Sequence, residues 1–438
     1  MFSRFLKFIL PPFTFRVFFR RIFYSNLKKV PLEKPLLFVG NHQNSFMDGI
    51  LVGSYLPQPI HFTMRADMFR KPFARFCLRE LNVSPVYRIE EGFENVHKNL
   101  ESFTGIYEVL KKNGNFIMFS EGLCVQEKRL HKLRKGTARL AFGAEEKFGL
   151  DVHIVPVGIN YTYPSKFRKE VMINFSEPFS IKELKDVYNA HPAKAFLEFN
   201  ERCSASLRNE VIIIENPEND WVAEQLLKME RNNLVLPFFQ WRFDTDDRRQ
   251  MEKKVSERVN HLNKNSKDTL RSLTAKVEDY VNLLAKNRIK DENVARRLDH
   301  GFLRYLAVIA GFPFAVAGYL ANIIPFLVPR LICDRFIKDP RFYSSVYISS
   351  GTVLYLFYFP AILIASAILW GWMGFLPALL APLAGYFVLY YQEICHERFN
   401  TLRYNLKKIS NPGLIKELTS KRLGILDDLN KVELSTLN

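Results

Sequence analysis

Cysteine is scarce and scattered. Five residues (Cys77, Cys124, Cys203, Cys333 and Cys395) form no CxxC pair and no ligand spacing with histidine. That excludes a disulfide framework and gives no reason to expect a metal site. Acidic residues are the second shortage: 45 Asp and Glu against 62 Lys and Arg leave a formal net charge of +17. Such an excess suits nucleic acid, an anionic membrane surface or phosphate-bearing molecules. The chain also lacks an RNP-like aromatic pattern and a basic low-complexity tail, so nucleic acid is not an expected partner. No small-residue cleavage site follows the N-terminal apolar run, which Pro11 and Pro12 break, so a cleaved signal peptide is not expected.

What is abundant is apolar. Hydrophobic residues make up 48% and phenylalanine alone counts 39, while charged residues still reach 24%. A chain both oily and charged suggests a water-facing domain joined to a membrane part, and 438 residues leave room for two to three domains. In residues 1–34, Arg16, Arg20 and Arg21 interleave with Phe15, Phe18, Phe19 and Phe23. That pattern predicts amphipathic helices at a membrane interface.

From about 35 to 215 short apolar runs alternate with amphipathic stretches. Leu36 to Val39, His61 to Met64, Phe116 to Phe119, Val152 to Ile159 and Val171 to Phe175 read as strands. Phe69 to Leu81, Phe93 to Lys112 and Gly136 to Phe148 read as helices. The alternation predicts an α/β domain, a mixed sheet flanked by helices. Residues 216–300 are polar, with a strand signal only at Leu234 to Phe239; Val255, Val259, Leu262, Leu270, Leu273, Val277, Val281 and Leu284 recur at steps near three and four. A charged helical arm is expected there.

Residues 301–392 are expected to form a C-terminal transmembrane helical region. Leu303 to Pro329, Val346 to Trp370 and Phe375 to Tyr391 are nearly uncharged and close to the length of about 20 residues that a bilayer core requires. Arg330, Arg335, Lys338 and Arg341 precede the second segment, and Arg398, Arg403, Lys407 and Lys408 follow the third. Both flanks are expected on the cytoplasmic side, making residues 346–391 a hairpin with its Gly-Trp-Met-Gly turn across the bilayer. The first segment, with Pro313 and Pro325 and basic ends, is expected to be re-entrant or interfacial. Residues 393–438 read as a cytoplasmic basic tail.

The candidate chemistry starts at Asn41-His42-Gln43-Asn44-Ser45-Phe46-Met47-Asp48, directly after the first expected strand. Ser45 stands as an N-cap with Asp48 in capping-box spacing. A carboxylate in the first helical turn can fix one imidazole nitrogen and leave the other to take a proton. An alcohol is a poor nucleophile at neutral pH, so a base of this type suits its attack on a thioester carbonyl. Backbone amides near Gly136, or Lys135, are candidate oxyanion donors. No nucleophilic Ser or Cys is required.

Three further blocks follow in order: Val83-Ser84-Pro85-Val86-Tyr87-Arg88, Phe119-Ser120-Glu121-Gly122 and Val155-Pro156-Val157-Gly158-Ile159, with Leu133-Arg134-Lys135-Gly136 between the last two. In this order and spacing the blocks resemble the glycerolipid acyltransferase family that includes lysophosphatidate acyltransferases, over roughly residues 35–215. The resemblance implies His42 as general base with Asp48 as its partner, acceptor binding by Arg88, Glu121 and Gly122, and Pro156 as a structural element. It also implies acyl-CoA or acyl-carrier protein as co-substrate, a glycerol-phosphate acceptor, a lipid bilayer as partner and no other cofactor. Three departures stand out. Five residues separate His42 from Asp48 where four are usual, as in the glycerol-3-phosphate and dihydroxyacetone-phosphate branch with membrane helices after the catalytic domain. Ser120 replaces a usual Pro, and Leu123, Cys124 and Val125 replace commoner residues after Glu-Gly. Phosphate contacts are then expected from Arg129, His131, Lys132, Arg134 and Lys135, unless that run is a solvated face. The rival expectations are a non-catalytic membrane scaffold with a degenerate fold, and an acyltransferase for an aminolipid or other lyso-lipid.

Overall fold

The computed structural model describes residues 10–80, 82–86, 98–296 and 302–432. The chain forms two compact units: Met1–Ile212 with Gln240–Arg249 and Ile337–Ile348, and the remainder, Ile213–Phe239, Gln250–Phe336 and Ser349–Asn438.

The first unit is built on a mixed sheet of β1 (Phe19–Ser25), β2 (Leu36–Gly40), β3 (Ile60–Arg65), β4 (Val83–Val86), β5 (Asn115–Phe119), β6 (His153–Tyr161), β7 (Lys169–Phe175), β8 (Phe179–Ser180) and β9 (Arg242–Asp244). The order is β4-β3-β5-β2-β6-β7-β1-β9, with β8 also on β6. Strands β4 to β6 are parallel; β7 runs antiparallel to β6, and β1 and β9 run parallel to β7 and to each other.

Helices α1 (Phe46–Ser54), α2 (Pro72–Glu80), α3 (Lys98–Lys111), α4 (Gly136–Phe148) and α5 (Pro192–Glu210) complete the unit. Strand β2 shows why its apolar run is unbroken. Leu36 and Phe38 enter a core with Met47, Leu51 and Val52 of α1, while Leu37 and Val39 enter another with Leu110, Phe142 and Phe199 of α3, α4 and α5. A central parallel strand covered on both faces needs apolar residues at every position. Helix α4 has the bounds expected from the sequence, and the five expected strands are all present within two residues at either end.

Two departures concern ends of the sheet. Residues 19–25, expected within an interfacial helix, are strand β1. Phe19, Ile22, Phe23 and Tyr24 are buried there, and Arg21 pairs with Glu170 of β7 at 2.9 Å. Aromatic and β-branched residues fit a pleated, covered surface, and the arginine that suggested headgroups has a carboxylate partner inside the unit. The expected strand at Leu234 to Phe239 is absent, and the short strand comes later, as β9. Pro237 cannot donate to a ladder.

The second unit is helical: α6 (Asp220–Asn233), α7 (Asp247–Asn265), α8 (Lys267–Asn287), α9 (Phe302–Ala321), α10 (Ile323–Phe336), α11 (Pro340–Leu379), α12 (Ala381–Ser410) and α13 (Pro412–Asn430), with α7 and α11 beginning in the first unit. The stripe expected on a charged helical arm packs into a core. Val255, Val259, Leu262, Leu270, Leu273, Val277 and Leu284 pack with Leu226 and Leu227 of α6 and with Leu418, Ile425 and Leu429 of α13. Residues 393–438 are therefore not a bare tail, since Pro412–Asn430 is an integral helix. Its Arg422, buried, donates to Asp291 Oδ1 at 2.9 Å and to the Met229 carbonyl at 2.7 Å.

The apolar segments behave differently. Helices α9 and α10 are bent by 58° at Asn322, a break that fits a broken span as well as the re-entrant or interfacial segment expected of residues 303–329. The buried Asn322 amide donates to the Gly318 and Ala381 carbonyls and accepts from Tyr355, so the polar groups at the break are satisfied internally. Helix α11 is 40 residues long and by itself apolar enough to cross a bilayer, with only 6% of its most apolar stretch buried. It turns at the expected Gly-Trp-Met-Gly: Gly371 takes φ +58°, a conformation that favours glycine, and Gly374 lies against the Ser366 carbonyl. The third expected segment, 375–391, is divided at Leu380 between the end of α11 and the start of α12.

Candidate active site

Strand β2 ends at Gly40, and the next residue extends its role by side chain. Asn41, buried, donates Nδ2 to the Ile159 carbonyl at 2.9 Å and accepts from the Ile159 N–H at 2.8 Å. This reciprocal pair continues the β2–β6 ladder one residue beyond its backbone register and fixes where His42 begins.

His42 Nδ1 lies 2.8 Å from Asp48 Oδ2. The same oxygen accepts the Gln43 and Asn44 backbone N–H groups at 2.9 and 2.8 Å, and Oδ1 accepts the Tyr161 hydroxyl at 2.6 Å. A carboxylate with this many donors acts as acceptor, so Nδ1 is the nitrogen that donates to it. The imidazole stacks on Phe119, with centroids 4.1 Å apart and planes 10° from parallel. Asp48 is fully buried, whereas the His42 side chain is 18% exposed. One nitrogen is locked on Asp48, and the other, Nε2, has no hydrogen-bond partner among the described residues.

Between His42 and Asp48 the backbone takes an unusual conformation at Ser45, where φ is +46° and ψ −140°. Ser45 is the residue before α1, yet its side chain makes no capping bond, so the expected capping box does not form. Asp48 is instead committed to the loop N–H groups of Gln43 and Asn44. A longer turn leaves those two amides converging on the carboxylate, and they win over a single cap bond.

Glu121, expected to bind acceptor, is buried with both oxygens occupied. Oε2 accepts the His42 N–H at 3.3 Å and Oε1 accepts the His131 N–H at 3.0 Å. Burial pushes its carboxyl up to about 7, against the opposing effect of those two donors. The geometry makes Glu121 a brace between two backbone segments. Gly122 follows at φ +67°, a conformation that favours glycine, with the flexible Arg134 side chain lying against it.

The start of α4 is tied to the same segment. Arg134 N–H donates to the Ser120 carbonyl at 2.7 Å, and the Ser120 and Thr137 hydroxyls meet at 2.6 Å. The departure at position 120 thus supplies a hydrogen bond where proline would supply none. The segment after Gly122 is a strap along the histidine loop: Val125 N–H donates to the His42 carbonyl at 2.9 Å, and Cys124 Sγ accepts the Ser45 N–H at 3.2 Å. Burial, then the charge of Asp48, pushes the Cys124 thiol up to about 12. It is a packed acceptor, far from a thiolate nucleophile.

Within the basic run, Arg129 pairs with Glu127 at 3.0 Å and Lys128 donates to the Tyr161 carbonyl at 3.2 Å. His131 faces Glu127 at 3.8 Å. Lys132, Arg134 and Lys135 are exposed, and Gly136 opens α4 beside them. Arg88 lies outside the described residues. Pro156 sits in β6, paired with Val39 of β2. The sequence reading missed Asn41 as a ladder extension and Tyr161 as the second donor to Asp48. Asn41 was visible as the residue before the histidine, whereas nothing in the sequence connects Tyr161 with Asp48.

Comparison with known proteins bears on this unit. Residues 21–160 match the protein-family model described as Acyltransferase. Glycerol-3-phosphate O-acyltransferase 1 of Saccharomyces cerevisiae is 36% identical over 86 residues, which is 19% of this chain and 11% of the yeast protein. The match therefore spans about a tenth of that relative's length. A solved 1-acyl-sn-glycerophosphate acyltransferase, PlsC from Thermotoga maritima, aligns over 47% of this chain and 81% of its own at 20% identity and a TM-score of 0.33. At that level the structural alignment bears on neither substrate nor mechanism. Residues 21–160 are thus similar to the acyltransferase family, and the yeast relative matched over part of the chain is a glycerol-3-phosphate O-acyltransferase.

Proposed function

We propose that the protein is a membrane-bound O-acyltransferase that moves a fatty acyl group from acyl-CoA or acyl-carrier protein to a glycerol-phosphate hydroxyl. The observation that carries this reading is the locked Nδ1–Asp48 contact at 2.8 Å on a partly exposed histidine whose Nε2 has no partner among the described residues. Nε2 takes the proton of the acceptor hydroxyl as its oxygen attacks the thioester carbonyl. The tetrahedral oxyanion collapses, the C–S bond breaks, and Nε2 passes its proton to the departing thiolate, which leaves as the thiol and restores the base. General-base assistance of this kind is worth roughly 10² to 10⁴ in rate. Asp48 steadies the transient imidazolium, and exposed Arg134 and Lys135 supply positive charge for phosphate beside Gly122 and Gly136, with Arg88 as a further candidate.

The acceptor placed first is glycerol 3-phosphate, from the name of the yeast relative and the five-residue spacing; 1-acylglycerol 3-phosphate comes second. Membrane attachment is supported by the exposed side chains of α9 and α11, among them Ile309, Phe314, Phe357, Ile368 and Trp372. A row of large apolar groups left outside a fold is stable only against lipid or another apolar surface. The flanking Arg330, Arg335, Arg403 and Lys407 support a cytoplasmic catalytic face.

The test is acyl transfer by the full chain in detergent or vesicles, with long-chain acyl-CoA and acyl-carrier protein as donors. Both glycerol phosphates are offered as acceptors. Acylation of either is expected, with the faster one naming the branch. Failure of both, while aminolipid acceptors also fail, contradicts the reading and favours a non-catalytic scaffold.

A further inference from the structure

Asn44 sits inside the loop between His42 and Asp48 and is fully buried. Its N–H donates to Asp48 Oδ2 at 2.8 Å, the oxygen that also receives His42. Its side chain is held from elsewhere, and its carbonyl accepts both the local Met47 N–H at 3.1 Å and a distant hydroxyl. Its Nδ2 donates to the Pro164 carbonyl at 3.3 Å. Its Oδ1 accepts the Ser344 hydroxyl at 2.5 Å, and its carbonyl accepts the Ser345 hydroxyl at 3.2 Å. Ser344 and Ser345 are both fully buried and lie 300 positions downstream, in the opening turns of α11.

Other contacts seat the same turns on the first unit. Arg341 donates to the Cys124 carbonyl at 2.9 Å, and Gln126 donates to the Pro340 carbonyl at 3.0 Å. Tyr347 packs its ring on Phe18 and Phe167 at 5.6 and 5.4 Å, and Ile348 enters the core that holds α1. The neighbouring Ser45 has a rarely populated backbone conformation, which persists only where surroundings over-determine it. Two buried hydroxyls in the first turns of α11, both spent on the adjacent Asn44, contribute to that constraint.

We propose that Ser344 and Ser345 are positioning residues for acyl transfer. They hold Asn44 so that its peptide N–H stays on Asp48 and His42 keeps its orientation. This rests on the acyltransferase reading above. It adds that the site is incomplete without the first turns of the long apolar helix, which lie far outside the segment matched to the family. Reaction geometry is sensitive at this scale: a displacement of about 1 Å costs up to roughly 10²-fold in rate.

The experiment compares the full-length Ser344→Ala/Ser345→Ala protein and each single variant with the parent, in the same detergent and well below their unfolding midpoints. Rates are expressed per folded molecule. The expected result is a fall in kcat of about tenfold or more, with the acceptor KM changed by less than about twofold. Alongside, carbethoxylation of His42 by diethyl pyrocarbonate is followed by peptide mass spectrometry, and it should run several-fold faster in the double variant. A double variant with the parent's kcat and the parent's His42 labelling rate overturns the proposal. So does a loss confined to the unfolding midpoint. If the double variant does not fold, the single variants are read by the same criteria. If the parent itself transfers no acyl group, the functional reading fails, while the labelling rate still decides whether the two serines hold the histidine loop.

Discussion

The two most distinctive regions of the chain invert each other. Around His42 the interior is polar: Asn41, Asn44, Asp48, Glu121 and Ser344 are all buried, and each has hydrogen-bond partners. Along α9 and α11 the outside is apolar, with Phe357, Ile368 and Trp372 among the exposed residues. A buried polar group costs free energy unless paired, and an exposed apolar surface costs free energy unless covered. The first region satisfies its constraint within the protein. The second leaves it to the surroundings, which is why one reads as a reaction site and the other as a membrane face.

The comparison can be broken most severely by placing a charge where no partner exists. Ile22 of β1 is fully buried, so Ile22→Asp is expected to leave no stable first unit, read as loss of a cooperative unfolding transition. The same change at exposed Ile364 of α11 should leave that transition intact. There the cost falls on membrane insertion, on the order of 2.5–3.5 kcal/mol for an aspartate at mid-bilayer, measured as partition between vesicles and detergent. Equal effects at the two positions would erase the distinction.

Glu121→Gln sharpens it within the polar interior. Replacing one oxygen by NH₂ sets a donor against a backbone donor, an expected loss of about 1–3 kcal/mol by urea unfolding. The pH dependence has a definite sign. The folded carboxyl titrates near 7 and its ordinary value is 4.5, so the folded state holds the proton more tightly. The stability this contributes is full below about 4.5 and is lost as pH rises through about 7. The glutamine variant should lose that slope. The smallest effect belongs to Cys124→Ser, which keeps an acceptor near the Ser45 N–H. With the thiol pushed up to about 12 there is no thiolate to lose, and acyl-transfer activity should change by less than about threefold. A loss of several orders of magnitude would restore an acyl-enzyme mechanism.

Much of the site was legible from order and spacing. His42, Asp48, Glu121 and Gly122 stand in short local motifs, and β2, β5 and α4 carry clear apolar patterns, so the strand-to-helix placement of the histidine follows from sequence. Residues 19–25 were misread because Arg-Phe interleaving looks alike on a strand and on an interfacial helix; only Glu170, far away in sequence, decides between them. The helical core of Val255 to Leu284 was visible as a stripe, but its partner, α13, was not, since periodicity names a buried face without naming what covers it. Tyr161, Ser344 and Ser345 were out of reach for the same reason. Their roles are long-range contacts on a single loop.

The most direct test of the account is the turnover of full-length His42→Ala in vesicles, with long-chain acyl-CoA and the better glycerol-phosphate acceptor of the parent. The account predicts a loss of roughly 10² to 10⁴ in kcat with an unchanged unfolding midpoint. Turnover within a fewfold of the parent would contradict it, because the locked imidazole would then not be the base.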